Sequence, residues 1–168
     1  MNHLPKDVQT FFKNMSEFVN SELVFYGSVT RNDYIHNQSD IDIAIFTHNP
    51  QNIIVQLSHF LKINKNLFKK IVWKLNGDTI VGYKIKCHDF LDLNCEIAIY
   101  NEIFKPTLLD EFKRPDDLPI YLYVSLLIIK FFYYRLPLIP TDIYVKLKRL
   151  IYNDLMGKKD SLFMLLDQ

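Results

Sequence analysis

Apolar positions along the chain change period several times, and each change predicts an element. Over 5–20, Val8, Phe11, Phe12, Met15, Phe18 and Val19 recur at helical spacing. A short apolar strand follows over 22–27 and ends at Gly27. Residues 40–46 form an Ile-rich strand. Asn49 then caps a helix over 49–63, with Pro50 at its first position and Ile53, Ile54, Leu57, Phe60 and Leu61 as its apolar stripe. Strands over 67–75 and 79–87 flank Asn76-Gly77-Asp78, a strong hairpin signal, and a third strand over 90–100 follows a turn at His88-Asp89. After Pro106 the pattern becomes helical over 119–135 and 141–155, with a short C-terminal piece. This order predicts an α+β domain: a mixed sheet, flanking helices and a small C-terminal helical part.

The strand over 40–46 breaks the apolar rule twice. Strand side chains alternate faces, so Asp40 and Asp42 project together while Ile41, Ile43 and Ile45 face the other way. Two ionised carboxylates so placed repel each other and resist desolvation. Alone, such a pair is more often a turn cap followed by a solvent-facing strand position. A hard divalent cation offers another resolution, because it takes oxygen ligands from one or two carboxylates plus substrate phosphates. The neighbours favour that resolution. Gly27-Ser28 closes the preceding strand, where a small residue lets backbone N–H groups approach phosphate oxygens. Arg31 offers a planar fork to the same phosphates. A third acid on a nearby strand would complete a cation cage. Over 90–100, Asp92 and Glu96 share one face; Asp92, nearer the strand start, is the preferred choice and Glu96 its rival.

The stretch "YGSVTRNDYIHNQSDIDI" resembles the signature of the DNA polymerase beta-like nucleotidyltransferase superfamily. That signature is an apolar residue, Gly-Ser, an Arg three residues on, and Asp-x-Asp on the next strand. The resemblance implies that Asp40, Asp42 and Asp92 hold two Mg²⁺ (or Mn²⁺) ions as the catalytic acids, and that Gly27 and Ser28 bind a nucleoside triphosphate. "LLIIKFFYYR" resembles the helix of poly(A)- and terminal-uridylyl-type transferases, whose Lys reaches the triphosphate, a role implied here for Lys130. Physically, a lone ammonium on an apolar helix needs an anion or a route to solvent. On this basis residues 1–105 are the expected catalytic core and 106–168 a helical part packed on it.

Composition adds bounds. The 168 residues suit one compact domain, and 49% hydrophobic content allows a sizeable core. A net charge of +1 advertises neither nucleic acid nor membrane. Charge is local, however: lysines 62, 65, 69, 70, 74, 84 and 86 stand against one acid, Asp78. These lysines are a solvated face or a track for a nucleic-acid acceptor. Cys87 and Cys95 are too few for a disulfide framework, and no spacing suggests zinc. The N-terminus does not read as a signal peptide, and the apolar run over 118–140, broken by Lys130, Arg135 and prolines, reads as a buried helix rather than a span. A cytoplasmic protein is expected. Its activity would be transfer of a nucleotide from an NTP to a hydroxyl, foremost the 3′-OH of RNA or DNA. A protein acceptor and an inactive interaction subunit are the alternatives, and a protein partner is expected to aid acceptor recognition. Tyr26, Tyr34 and Tyr83 are base-stacking candidates.

Overall fold

The computed structural model describes residues 4–31, 33–36, 38–75, 77–90, 93–113, 119–136, 138–156 and 162–166. Helix α1 (Lys6–Val19) is followed by β1 (Leu23–Tyr26), a 3-10 turn (Gly27–Thr30), β2 (Ile41–Thr47) and α2 (Pro50–Leu61). Next come β3 (Lys69–Leu75), β4 (Asp78–Phe90), β5 (Leu93–Asn101), α3 (Lys105–Lys113), α4 (Ile120–Tyr134), α5 (Thr141–Met156) and β6 (Leu162–Leu166). The six strands form one sheet in the order β1-β2-β5-β4-β3-β6. Only β2 and β5 pair in parallel; the other pairs are antiparallel.

Two apolar layers hold the sheet. On one face Val8, Phe12, Met15 and Val19 of α1 and Ile53, Ile54, Leu57 and Leu61 of α2 pack on Ile41, Ile43, Ile45, Ile97 and Ile99. Each fully buried side chain of this size contributes about 1.5–3 kcal/mol, so this face anchors the fold. On the other face Leu108 and Phe112 of α3 cover Ala44, Phe46, Ala98 and Tyr100. The Tyr100 ring lies where a Cβ on Gly82 would stand, 2.6 Å away, so close cross-strand packing requires glycine there. α3 lies over this face beside β1 and β2, where its Phe112 ring stacks on Tyr26, the register partner of Asp42.

Local rules account for the ends of elements. Asn49 accepts from the Asn52 backbone at 3.2 Å with Pro50 behind it. Asn20 and Lys62 close α1 and α2 in the left-handed conformation. Gly77, at φ +90°, lies between β3 and β4 as the hairpin signal requires.

Four expectations differ from what is seen. β4 runs on through 88–89 to Phe90, which pairs with Leu93, so the strand ladder replaces the expected turn. The helical pattern expected after Pro106 starts earlier, as α3 follows a 3-10 turn over Glu102–Phe104 that Asn101 caps, its side chain accepting from the Ile103 N–H at 3.1 Å. The C-terminal piece adds strand β6 to β3 rather than a helix. α4 was expected to be buried, yet it buries only Leu122, Leu126 and Lys130. Ile120, Tyr121, Val124, Leu127, Ile128, Phe131 and Phe132 are exposed, because α4 packs along a single stripe. No helix among the described residues is long and apolar enough to cross a membrane.

Candidate active site

The sheet register brings the acids together. Asp42 stands between Tyr26 of antiparallel β1 and Glu96 of parallel β5. All three share the face on which α3 packs, while Ile41, Ile43 and Ile45 fill the opposite core. Asp40, exposed, immediately precedes the strand. Burial, then the Glu96 and Asp40 charges, push the Asp42 carboxyl up to about 7, against a smaller pull from Lys148 and Lys84. Burial, followed by Tyr100, Asp42 and Glu96, pushes the Tyr26 phenol well above its ordinary value. Lys84 pairs with Glu96, and Lys86 Nζ lies 3.4 Å from the same carboxylate.

Gly27 is fitted to this arrangement twice over. Its φ of +74° lies in the left-handed region, and a Cβ there would stand 2.5 Å from Asp42 Oδ2. The turn it opens is tied to the acids from below: the Ser28 hydroxyl donates to the Asp40 carbonyl at 3.4 Å. Thr30 Oγ1 donates to the Gly27 carbonyl at 2.8 Å and braces the turn.

Arg31 and Lys130, the expected triphosphate ligands, meet inside the protein on a third residue. Both are buried, with 9% and 3% exposure, and both grip Asp33, which is 1% exposed. Arg31 Nε and Nη2 donate to the two Asp33 carboxylate oxygens at 2.8 and 3.2 Å. Lys130 Nζ donates to Asp33 Oδ2 at 2.8 Å and to its backbone carbonyl at 2.6 Å. Burial alone would raise the Asp33 carboxyl, but the Arg31 and Lys130 bonds and charges outweigh it and hold it below the usual range. Burial lowers the Lys130 ammonium, and Asp33 only partly restores it. The anion that the lone ammonium demanded is thus within the chain itself.

Sequence reasoning missed Asp33, although the Arg31/Asp33 spacing and the lone Lys130 together carried the signal. It also missed Lys148, one helical turn beyond buried Tyr144 on α5. Tyr144 stacks on Tyr133 of α4 at 4.1 Å. Asp92, the preferred third acid, lies outside the described residues; β5 begins at the next residue. Of the lysine run, Lys69 and Lys84 are cross-strand partners on the Asp42 face, with Lys86 two residues on, whereas Lys70 and Lys74 alternate to the other face. The candidate tyrosines do not converge: Tyr26 stacks on Phe112 at 4.0 Å, and Tyr34 and Tyr83 pack against the α1/α2 core.

Among the described residues no three His, Cys, Asp or Glu side chains converge as a ready metal cage. The pair Asp40 and Asp42 nevertheless fits a hard divalent cation. Both carboxylates stand at one end of β2, and the mutual repulsion recorded at Asp42 is what such an ion relieves.

The class of protein follows. The family model for the nucleotidyltransferase domain matches residues 6–105, and the chain belongs to that family. The match agrees with the polymerase beta-like resemblance of the Gly27–Asp42 stretch. Distant likenesses to solved structures are also found. A cytoplasmic RNA terminal U-transferase aligns at 20% identity and TM-score 0.44, over 77% of this chain and 41% of that one. The Cid1 poly(U) polymerase with MgGTP bound aligns at 18% and 0.43, over 77% and 41%. The GLD-2/RNP-8 complex aligns at 15% and 0.41, over 92% and 54%. The chain therefore spans about two fifths to just over half of these structures. No curated protein sequence matches it significantly.

Proposed function

We propose that the protein transfers a nucleoside monophosphate from an NTP to a hydroxyl acceptor, the 3′-OH of a nucleic acid, with release of pyrophosphate. The observation that carries this reading is the placement of Gly27 against Asp42, with Asp40 and Glu96 beside it. Acids crowded to the point that one resists ionisation, beside a glycine turn that only a Cβ-free residue can make, suit a cation-bridged phosphate.

In this reading Asp40 and Asp42 hold Mg²⁺ or Mn²⁺, which when bound neutralises the triphosphate and the developing charge. The Gly27-Ser28 turn receives the phosphates. The acceptor oxygen forms a bond to the α-phosphorus as the bond to the pyrophosphate oxygen breaks, and the hydroxyl proton passes to a carboxylate. We assign that third carboxylate to Glu96, which stands in register beside Asp42, rather than to Asp92, the choice preferred from sequence. Arg31 and Lys130 act as charges behind the phosphate site, held there by Asp33. Lys69, Lys84 and Lys86, on the carboxylate face, form the track for acceptor phosphates.

A second reading, an interaction subunit, is favoured by the exposed apolar side of α4. Comparing Glu96→Gln with Asp92→Asn tests the assignment. Incorporation of label from each NTP into an RNA oligomer is expected to fall at least about a hundredfold in Glu96→Gln and less than about threefold in Asp92→Asn. The reverse order would return the role to Asp92. Activity in neither the wild type nor the variants, with any NTP and either metal, would favour the subunit.

A further inference from the structure

The buried cluster of Arg31, Asp33 and Lys130 joins two parts of the chain that are 97 residues apart in sequence. One part is the loop from Gly27 to Asp40, which carries the Ser28 turn at one end and the first candidate acid at the other. The other is α4, whose remaining contacts with its surroundings run along one narrow stripe.

After its opening 3-10 turn, the described part of the loop is held by short braces. The Arg31 N–H donates to the Ser28 carbonyl at 3.1 Å, and the Tyr34 N–H to the Arg31 carbonyl at 3.3 Å. The Ser39 N–H donates to the Ile35 carbonyl at 2.8 Å, and the Ile35 N–H returns a bond to the Ser39 hydroxyl at 3.2 Å. Each brace spans three to four residues and fixes local shape, while buried Val29 and the Tyr34 ring seat the loop on the α1/α2 core. Lys130 adds the tie to α4. Its ammonium reaches across from α4 and takes both a carboxylate oxygen and the backbone carbonyl of Asp33. A side-chain contact alone would let the backbone swing about χ1; the second bond, to the main chain, prevents that. Arg31 occupies the remaining carboxylate oxygen from the loop side. The carboxylate is thus held by two cations, one from the loop and one from α4.

We propose that Asp33 is a positioning residue: acting through Lys130 and Arg31, it pins loop 27–40 to α4 and so sets where the Ser28 turn stands for the incoming nucleotide. Its kinetic consequence rests on the nucleotidyl-transfer reading; its mechanical consequence does not. A buried pair that serves stability alone would loosen the whole molecule when broken, because unpaired buried charge destabilises globally. A positioning contact loosens one segment. Charge-assisted bonds of this kind correspond to roughly tenfold or more in a local opening equilibrium.

Amide hydrogen exchange on the full chain, without ligand, separates the two. Lys130→Met keeps the length and apolar stem of the side chain and removes the ammonium; Asp33→Asn keeps the shape and removes the charge. In both, peptides covering 27–40 are expected to exchange at least about tenfold faster, while peptides from β2, β4, β5 and α1 keep their wild-type rates. In NTP titrations of Asp33→Asn the KM for NTP is expected to rise about tenfold, with kcat within about threefold. Unchanged exchange over 27–40, or acceleration spread evenly over the strands, overturns the proposal. So does failure of both variants to fold, which makes the cluster a folding requirement. An even fall in kcat with KM unchanged also overturns it. If the wild type transfers no nucleotide, the functional reading fails and the exchange result alone decides the role of Asp33.

Discussion

At Asp42, burial and two neighbouring carboxylates act in the same direction, and the carboxyl is pushed up to about 7. In the unfolded chain it titrates near 4. Between those values the folded state holds one more proton than the unfolded state, so stability falls as pH rises. The loss amounts to about 3 kcal/mol between pH 5 and pH 8. Urea denaturation in the presence of a chelator is expected to show that decline in the wild type and a flatter profile in Asp42→Asn. Added divalent cation should oppose the decline, because it binds the ionised form. Parallel profiles for the two proteins would contradict the electrostatic account of the site. Gly27, Ser28, Asp40 and Asp42 were legible in the sequence because their relation is local: one turn and one strand of known period. Whether Asp92 or Glu96 joins them was not, since a period of two puts both on the same face. Only the pairing of β2 with β5 shows that Glu96 stands beside Asp42.

At the scale of elements, helices α1 and α2, the β3–β4 hairpin and the central strands were legible from period, caps and the Asn-Gly turn. Three features were not. α3 begins at Lys105 directly after a 3-10 turn over Glu102–Phe104 that Asn101 caps, but its cap closes a strand and Pro106 follows, so the start was masked. The strand character of β6 arises from pairing with β3, a contact that no window of sequence contains. α4 misled because its composition is apolar on every side; which side is covered depends on a partner, here the Asp33 loop and α5. Its one-sided burial has a measurable consequence. Leu126→Ala is expected to cost about 2–4 kcal/mol, whereas Phe131→Ser should stay within about 0.5 kcal/mol, both read from urea denaturation midpoints. Equal costs would mean that the exposed side is covered in solution.

At the scale of the molecule, a near-neutral chain divides its charge by face. The sheet face bearing Asp42 and Glu96 also bears Lys69, Lys84 and Lys86, the residues of the proposed acceptor track. Neutralising about three phosphates predicts that the affinity for a single-stranded RNA oligomer falls with salt at a log–log slope of about −2. The double variant Lys69→Ala/Lys86→Ala should reduce that slope to about −0.7. Fluorescence anisotropy over a salt series measures both. A slope near zero in the wild type would remove nucleic acid as the acceptor and leave a protein hydroxyl. The cluster of Arg31, Asp33 and Lys130 belongs to this scale as well. Lys130 lies 97 residues from Asp33, so the Arg31/Asp33 spacing and the lone ammonium could each be noted in the sequence while their pairing could not.

The central claim is that Asp40 and Asp42 serve nucleotidyl transfer. It is tested most directly by incubating wild-type protein and Asp42→Asn with each labelled NTP, Mg²⁺ or Mn²⁺ and an RNA oligomer, and following label into the oligomer. The account predicts incorporation by the wild type that requires the metal and is lost in Asp42→Asn, with the variant still folded. Incorporation by Asp42→Asn at the wild-type rate would contradict it.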